Sequence, residues 1–343
     1  MNVLKFLFLT ILPGVACPVM GQSEDSLSAK PSFHADYTGE LQTDFKRAKL
    51  GSTLELGAEI PLGRNLSVEL TSVSHVTTDE QPLINDLQGF SNIDTDNLAF
   101  ALAVAGVSWR INDSHRLFAG IRRVDEDYFC SDVLSLFTNS SCGGFPTLFA
   151  NYDIATYPKA SLGVHYAYEQ KHFGFQASVY NGLGHDKLYG GSNTFRFCPA
   201  SDGVCALAQA EWHQPSGSYY LGGSLHYNDL CAGEPRHIRP VVWAYTEQTV
   251  TSSLSLVGAY SHAFSCDVAC CDFAGIGGKY VLGNTTIGLF SDFTRVDGTS
   301  EWATELTCHF QLGQVFSIQP VVHIITTGGD THCVGVLRVG VSL

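Results

Sequence analysis

Two sets of side chains in this sequence have types and spacings suited to chemistry. The first is charged. Arg116 and Arg122 fall on one face of an alternating stretch, and Arg123 with the acids Asp125, Glu126 and Asp127 follows directly. Glu69, Glu169 and Arg338 occupy the polar face of other alternating stretches. The second set is aromatic: Phe137, Phe145, Phe149, Tyr152 and Tyr157 lie in a long segment, about 130–160, that does not alternate. Rings next to charged hydrogen-bonding groups suit reversible contact with a polar solute. Bond-breaking chemistry has less support. His165, His226, His309 and His323 have serine neighbours, but no G-x-S-x-G elbow is present. Gly182, Gly184, Gly190 and Gly191 precede no helix and form no phosphate cradle. Cys266, Cys270 and Cys271 near His262 match no zinc spacing. No enzymatic activity, metal or cofactor is expected.

The elements that must position these residues are strands. From Ser32 to Leu343 the chain alternates apolar and polar residues with period two, the signature of a two-faced strand. Leu54, Leu56 and Ala58 oppose Glu55, Gly57 and Glu59. Phe173, Phe175, Ala177 and Val179 oppose Gly174, Gln176, Ser178 and Tyr180. Trp302, Leu306 and Phe310 oppose Glu305, Thr307 and His309. The parity slips after Val104, which predicts a bulge, and it is ambiguous over 238–248. About sixteen strands of tilted-membrane length result. Short connections (Leu62–Asn65, Asn112–His115, Gln170–His172, Leu282–Asn284, Leu312–Gln314) alternate with mostly longer ones (Thr77–Asn97, the 130–160 segment, Leu183–Ala200, Asp229–His237, Phe264–Cys271, Gly328–Cys333). An even count of antiparallel strands with tight turns at one end describes an up-and-down transmembrane β-barrel. Its interior is wide enough for a water channel. The 130–160 segment follows the fifth strand and is expected to fold inward as a constriction.

Composition agrees with this reading. Charged residues make up 15% of the chain, against about 25% in typical soluble proteins. The net charge of −14 argues against nucleic acid as a partner. Residues 1–21 read as an export signal: Lys5, an apolar core, then small residues before Gln22. A lipoprotein reading at Gly14–Cys17 lacks the usual Leu. Residues 22–343 then form the barrel, and no later run is long and apolar enough for a spanning helix. Of eleven cysteines, all but Cys17 lie beyond the signal. In an exported chain disulfides are their expected use, with Cys130 and Cys142 placed to staple the long segment. On the parity read here, the channel-facing charges are Asp36, Glu40, Glu55, Glu59, Glu69, Glu169, Asp292 and Glu305 against Arg116, Arg122, Lys279 and Arg338. That balance favours cations mildly.

Several runs carry a family likeness. Asn85-Asp86-Leu87-Gln88-Gly89-Phe90-Ser91-Asn92-Ile93 resembles a GDLQ-x-x-SNI motif. Leu117–Ile121 through Asp125 and Phe129 then leads into Phe137-Thr138-Asn139-Ser140-Ser141, and Pro146, Asn151, Tyr157–Ala160 and Leu162–Val164 follow in order. Val179–Gly182, Ser317–Ile325 and Val334–Val341 complete the match. In this order and spacing they resemble the carbohydrate-selective porins of OprB type. The resemblance implies an outer-membrane porin that passes small sugars by diffusion. It implies a lipid bilayer and a barrel-assembly machinery as partners. A general or cation-favouring porin, or a barrel serving as an anchor, is the alternative. Parity, the aromatic segment and the resemblance together give the candidate channel residues Glu69, Arg116, Arg122, Asp125, Phe137, Phe145, Phe149, Tyr152, Tyr157, Glu169 and Arg338. Arg122, at the base of the inward segment, is the foremost of them.

Overall fold

The computed structural model describes residues 30–228, 237–265 and 268–343. The export signal expected over 1–21 and the connection Asp229–His237, apart from His237 itself, lie outside the described residues. The strands are β1 (Ser32–Thr43), β2 (Ala48–Pro61), β3 (Leu66–Thr77), β4 (Leu98–Asn112), β5 (His115–Arg122), β6 (Ser161–Gln170), β7 (Phe173–Asn181) and β8 (Val204–Gln214). They continue as β9 (Gly217–Asn228), β10 (His237–Thr249), β11 (Leu254–Ala263), β12 (Cys270–Leu282), β13 (Thr285–Val296), β14 (Thr299–Leu312), β15 (Phe316–Thr327) and β16 (Asp330–Ser342). Each pairs antiparallel with its sequence neighbours, and β1 pairs with β16 from Asp36↔Ser342 to Thr43↔Gly335, which closes the barrel. Closure pairs every strand edge, the condition for placing a sheet in hydrocarbon.

The period-two pattern is realised with the apolar side outward. Leu41, Leu54, Ile276, Leu289, Trp302, Leu306 and Ile324 are exposed on the outer face, while Glu40, Thr53, Phe290, Glu301, Glu305 and His323 are buried on the inner one. Trp109, Trp212, Phe173 and Tyr219 lie exposed towards the ends of their strands, as an interfacial girdle requires. The expected bulge in β4 is present: Thr71 pairs with Val104 and Ser72 with Leu102, so Ala103 is the extra residue.

One expected connection is corrected by the structure. Gly328–Cys333 is not a long loop, because β16 begins at Asp330 and only Gly328 and Gly329 turn the chain. Both have positive φ, +60° and +102°, the backbone that tight hairpins need and glycine adopts without strain. The ambiguous parity over 238–248 also has a cause. In β10 Val241, Trp243 and Tyr245 are buried on the inside while Ile238 and Val242 are exposed outside, so both faces are apolar.

The reason for that apolar inner face is the chain that covers it. Phe129, Leu134, Phe137, Phe145, Leu148 and Tyr152, from the segment after β5, form one hydrophobic cluster with Trp243, Tyr245, Val257, Phe273 and Phe290 of the wall. A smaller cluster packs Leu83, Ile84 and Phe90, from the β3–β4 connection, on Ala303, Val321, Ile325, Val334 and Val336.

Candidate functional site

The segment 123–160 bonds to side chains on the inner faces of strands far from β5. The Tyr128 hydroxyl lies 2.9 Å from Ser178 of β7, and Val133 N–H donates to Glu247 of β10 at 2.8 Å. Thr147 hydrogen-bonds Ser261 of β11. Lys279 of β12 donates to the Asp132 carbonyl at 2.6 Å. Thr138 and Asn139 N–H donate to Glu305 of β14 at 3.0 Å, and Gln319 of β15 donates to the Leu136 carbonyl at 2.7 Å. These partners alternate with the exposed apolar residues, so the segment lies against the inner face.

At the base of this segment the charges expected from the sequence come together. Arg122 donates to both oxygens of Asp127 at 2.6 Å and to Glu69 of β3 at 3.1 Å. Arg116 shares Glu69 and donates to Ser108 at 2.7 Å. Arg123 bonds Glu55 of β2 at 3.0 Å and pairs with Glu126, with Asp125 at 3.6 Å. Its guanidinium also sits 5.8 Å from the centroid of the Tyr157 ring. Burial works to raise the Asp127 carboxyl, but Arg122, His165 and Arg116 outweigh it and hold it below the usual aspartate range. Burial, with the charge of Glu126, pushes Asp125 up against the pull of Arg123. Burial raises the Tyr157 phenol to about 12, so it stays neutral. It shares hydrogen bonds with Thr53 at 2.9 Å and with the Ile93 carbonyl at 3.3 Å.

Two cavities flank this network. One of about 490 Å³ runs along β2–β5 and is lined by Glu55, Glu59, Glu69, Arg110, Arg116, Arg122 and Glu126. The other, about 390 Å³, lies between the two inward connections and is lined by Asn92, Asp94, Asp125, Phe149 and Tyr157 among others. Glu69, Arg116, Arg122, Asp125, Phe149 and Tyr157 therefore share one region.

Of the other expected residues, Phe137 borders the second cavity, while Phe145, Tyr152, Glu169 and Arg338 stand apart from both. Phe137, Phe145 and Tyr152 are 1%, 1% and 3% exposed, so they do not present the ring faces anticipated for a solute. Phe137 packs on Phe290 with centroids 5.3 Å apart, Phe145 stacks on Phe273 at 4.8 Å, and Tyr152 stacks on His226 at 3.8 Å. They fasten the segment to the wall. Arg338 is on the inner face but pairs with Glu40 and donates to Asn92 at 2.6 Å. Glu169 stands at the short-turn end of β6, opposite Gly174, and belongs to neither group.

Cysteine use also differs from expectation. Cys130 is disulfide-bonded, but Cys142 is a buried free thiol, so the two do not staple the segment. Cys198, Cys205, Cys270, Cys271, Cys308 and Cys333 are free as well. His262 pairs with Asp272 at 2.8 Å, and no metal-binding group occurs among the described residues; Cys266 lies outside them.

Some working residues were not foreseen. Glu301 and Glu247 share the inner parity of Glu305 and Tyr245, which was the available signal. No local signal shows that the 78–97 connection also folds inward, with Gln88 bonding Asp292 at 3.0 Å.

No family profile matches the sequence, and no curated protein does. Solved structures do match. The high-pH structure of OprB from Pseudomonas putida superposes with a TM-score of 0.77 at 16% identity, covering 92% of this chain and 94% of that one. An anion-selective porin from Comamonas acidovorans gives 0.64 at 10% identity, covering 92% and 99%. OmpT, an outer membrane protein of Vibrio cholerae, in a form lacking loop L8, gives 0.62 at 12% identity, covering 92% and 99%. The fold is the porin fold. The closed sixteen-stranded barrel, its outward apolar face and its polar cavity along β2–β5 are all compatible with a passive channel.

Proposed function

We propose that the chain is an outer-membrane porin through which small hydrophilic solutes diffuse, with carbohydrates the favoured class. The observation that carries this reading is the off-centre cavity between the 123–160 segment and β2–β5, within a barrel whose outer face is apolar. Inner-face apolar residues of β10–β13 are covered by the segment, so the wet route follows the arginine–carboxylate wall instead. Arg116, Arg122 and Arg123 are each engaged by carboxylates, which leaves a polar surface with little strong single-sign field. Such a surface offers hydrogen bonds to a neutral polyol, and Phe149 and Tyr157, the latter packed on Arg123, line the second cavity beside it. The likeness to OprB supports carbohydrate as the solute class, and the excess of carboxylates over arginines supports a mild preference for cations among ions. The bilayer of the outer membrane and the barrel-assembly machinery are the proposed partners.

Purified protein in a planar bilayer is expected to give steady conductance; a silent bilayer would point to an anchor. Liposome swelling with mono- and disaccharides, compared with amino acids of equal size, tests the solute class. Equal rates would remove the carbohydrate preference and leave the pore. Deleting Ser135–Ala150 should raise conductance, and an unchanged value would show that the segment does not narrow the route.

A further inference from the structure

Three inner-face carboxylates stand apart from the arginine network. Asp292 of β13 and Glu301 and Glu305 of β14 are 1%, 0% and 1% exposed. Asp292 is in register with Ala303, midway between the two glutamates, so the three form a triangle on one face. Glu301 accepts from Leu87 N–H at 2.7 Å and Gln88 N–H at 3.1 Å, and also from the Thr327 hydroxyl at 2.6 Å. Glu305 accepts from Thr138 and Asn139 N–H, both at 3.0 Å. Asp292 accepts from the side-chain amides of Gln88 at 3.0 Å and Asn139 at 2.9 Å. Two connections that are distant in sequence, 78–97 and 123–160, are thus tied to the wall through the same three acids.

Among the described residues no lysine or arginine forms an ion pair with any of the three. An ionised carboxylate only accepts hydrogen bonds, whereas its protonated form presents an O–H to those same N–H donors. Three buried like charges also favour proton uptake. The charged and titratable groups around them come from every adjoining element. Asp86 lies in the 78–97 connection and the Cys142 thiol in the 123–160 segment. His323 of β15 has Nδ1 3.9 Å from Glu305 and Nε2 3.0 Å from the Thr138 hydroxyl. Arg338 of β16 is already held by Glu40 of β1. Burial and the Glu301 carboxylate push Asp86, at the edge of the group, up to about 6.

We propose that the Asp292–Glu301–Glu305 group is a proton-operated latch: fully ionised, it pins both inward connections to the β13–β14 wall, and on taking up a proton it releases them. The released chain then enters the remaining route, so the channel is steady near neutrality and flickers closed in acid. The electrical consequence rests on the channel reading above, whereas the release itself does not.

Amide exchange on the full-length protein, corrected for the intrinsic pH dependence of exchange, tests the release. Between about pH 8 and about pH 5, peptides holding Leu87–Gln88 and Thr138–Asn139 should lose at least about tenfold in protection, while those of β1–β3 stay constant. The D292N/E301Q variant should show the low protection at about pH 8 and brief closures in a bilayer at the same pH. Protection that does not change with pH in the wild type overturns the latch, as does a folded variant that exchanges like the wild type. Should the variant not assemble, wild-type exchange decides alone. A barrel silent in bilayers but with acid-sensitive exchange loses the channel reading and keeps the latch; steady exchange in a conducting barrel does the reverse.

Discussion

Replacing Arg122 by Gln tests the arginine–carboxylate wall most directly. The guanidinium is almost completely buried and serves Asp127 and Glu69 together. In its immediate network three arginines, 116, 122 and 123, face the carboxylates of Glu55, Glu69, Asp125, Glu126 and Asp127. Removing one partner from a buried ion pair costs about 3–5 kcal/mol. Glu69 retains Arg116, so the deficit falls mostly on Asp127, which keeps the His165 ring at 3.5 Å and the more distant charge of Arg116. The cavity beside it gains one net negative charge. A unit charge about 5 Å from a passing ion is worth roughly 0.8 kcal/mol in water. A Debye length of about 10 Å at 0.1 M salt lowers that to about 0.5 kcal/mol. The gain for cations and the loss for anions together raise the cation-to-anion permeability ratio about fivefold. Reversal potential across a planar bilayer under a salt gradient measures it.

The pH dependence of this variant has a definite sign. Without Arg122 the largest of the effects that held Asp127 below the aspartate range is gone, while burial still raises it. Its carboxyl then takes up a proton more readily, so the added charge is present at alkaline pH and diminishes as the pH falls. A folded R122Q protein with wild-type reversal potential near pH 8 would refute the placement of Arg122 beside the ion route.

Phe145→Ala should loosen the inward segment without unfolding the barrel. Truncating a buried phenylalanine costs about 3–5 kcal/mol, so exchange protection over 129–150 should fall by roughly two to four orders of magnitude; an unchanged segment with a weakened barrel would contradict its role as a fastener. Thiol labelling should modify Cys142, Cys205 and Cys270 only after unfolding, and Cys130 only after reduction, as their burial and pairing require. Protection of Cys142 until reduction would restore the expected staple. Leu306→Arg places a charge on the outer face near the middle of β14 and should cost about 2–4 kcal/mol in refolding from urea into lipid vesicles. A neutral outcome would mean that this face does not meet hydrocarbon.

The sequence by itself determined the strands, their order and, except in β10, which face of most of them is apolar. That information is local. A tilted strand shows alternate side chains to lipid and to the interior, so Leu289 against Phe290 or Leu306 against Glu305 can be assigned from neighbours in the chain. It also located the charged base of the long segment, because Arg122, Arg123, Asp125 and Asp127 are nearly contiguous. What it could not decide was which inner faces are wet. Trp243, Phe273 and Phe290 point inward and are dry only because Phe129, Phe137 and Phe145 cover them, and those contacts join residues more than a hundred positions apart. The same distance hid the partners of Glu301 and Glu305, which bond to backbone N–H groups of residues 87, 88, 138 and 139. A backbone donor leaves no trace in residue type. Only the packed barrel turned most of the aromatic candidates into fasteners and left a polar-lined cavity along the wall formed by β2–β5.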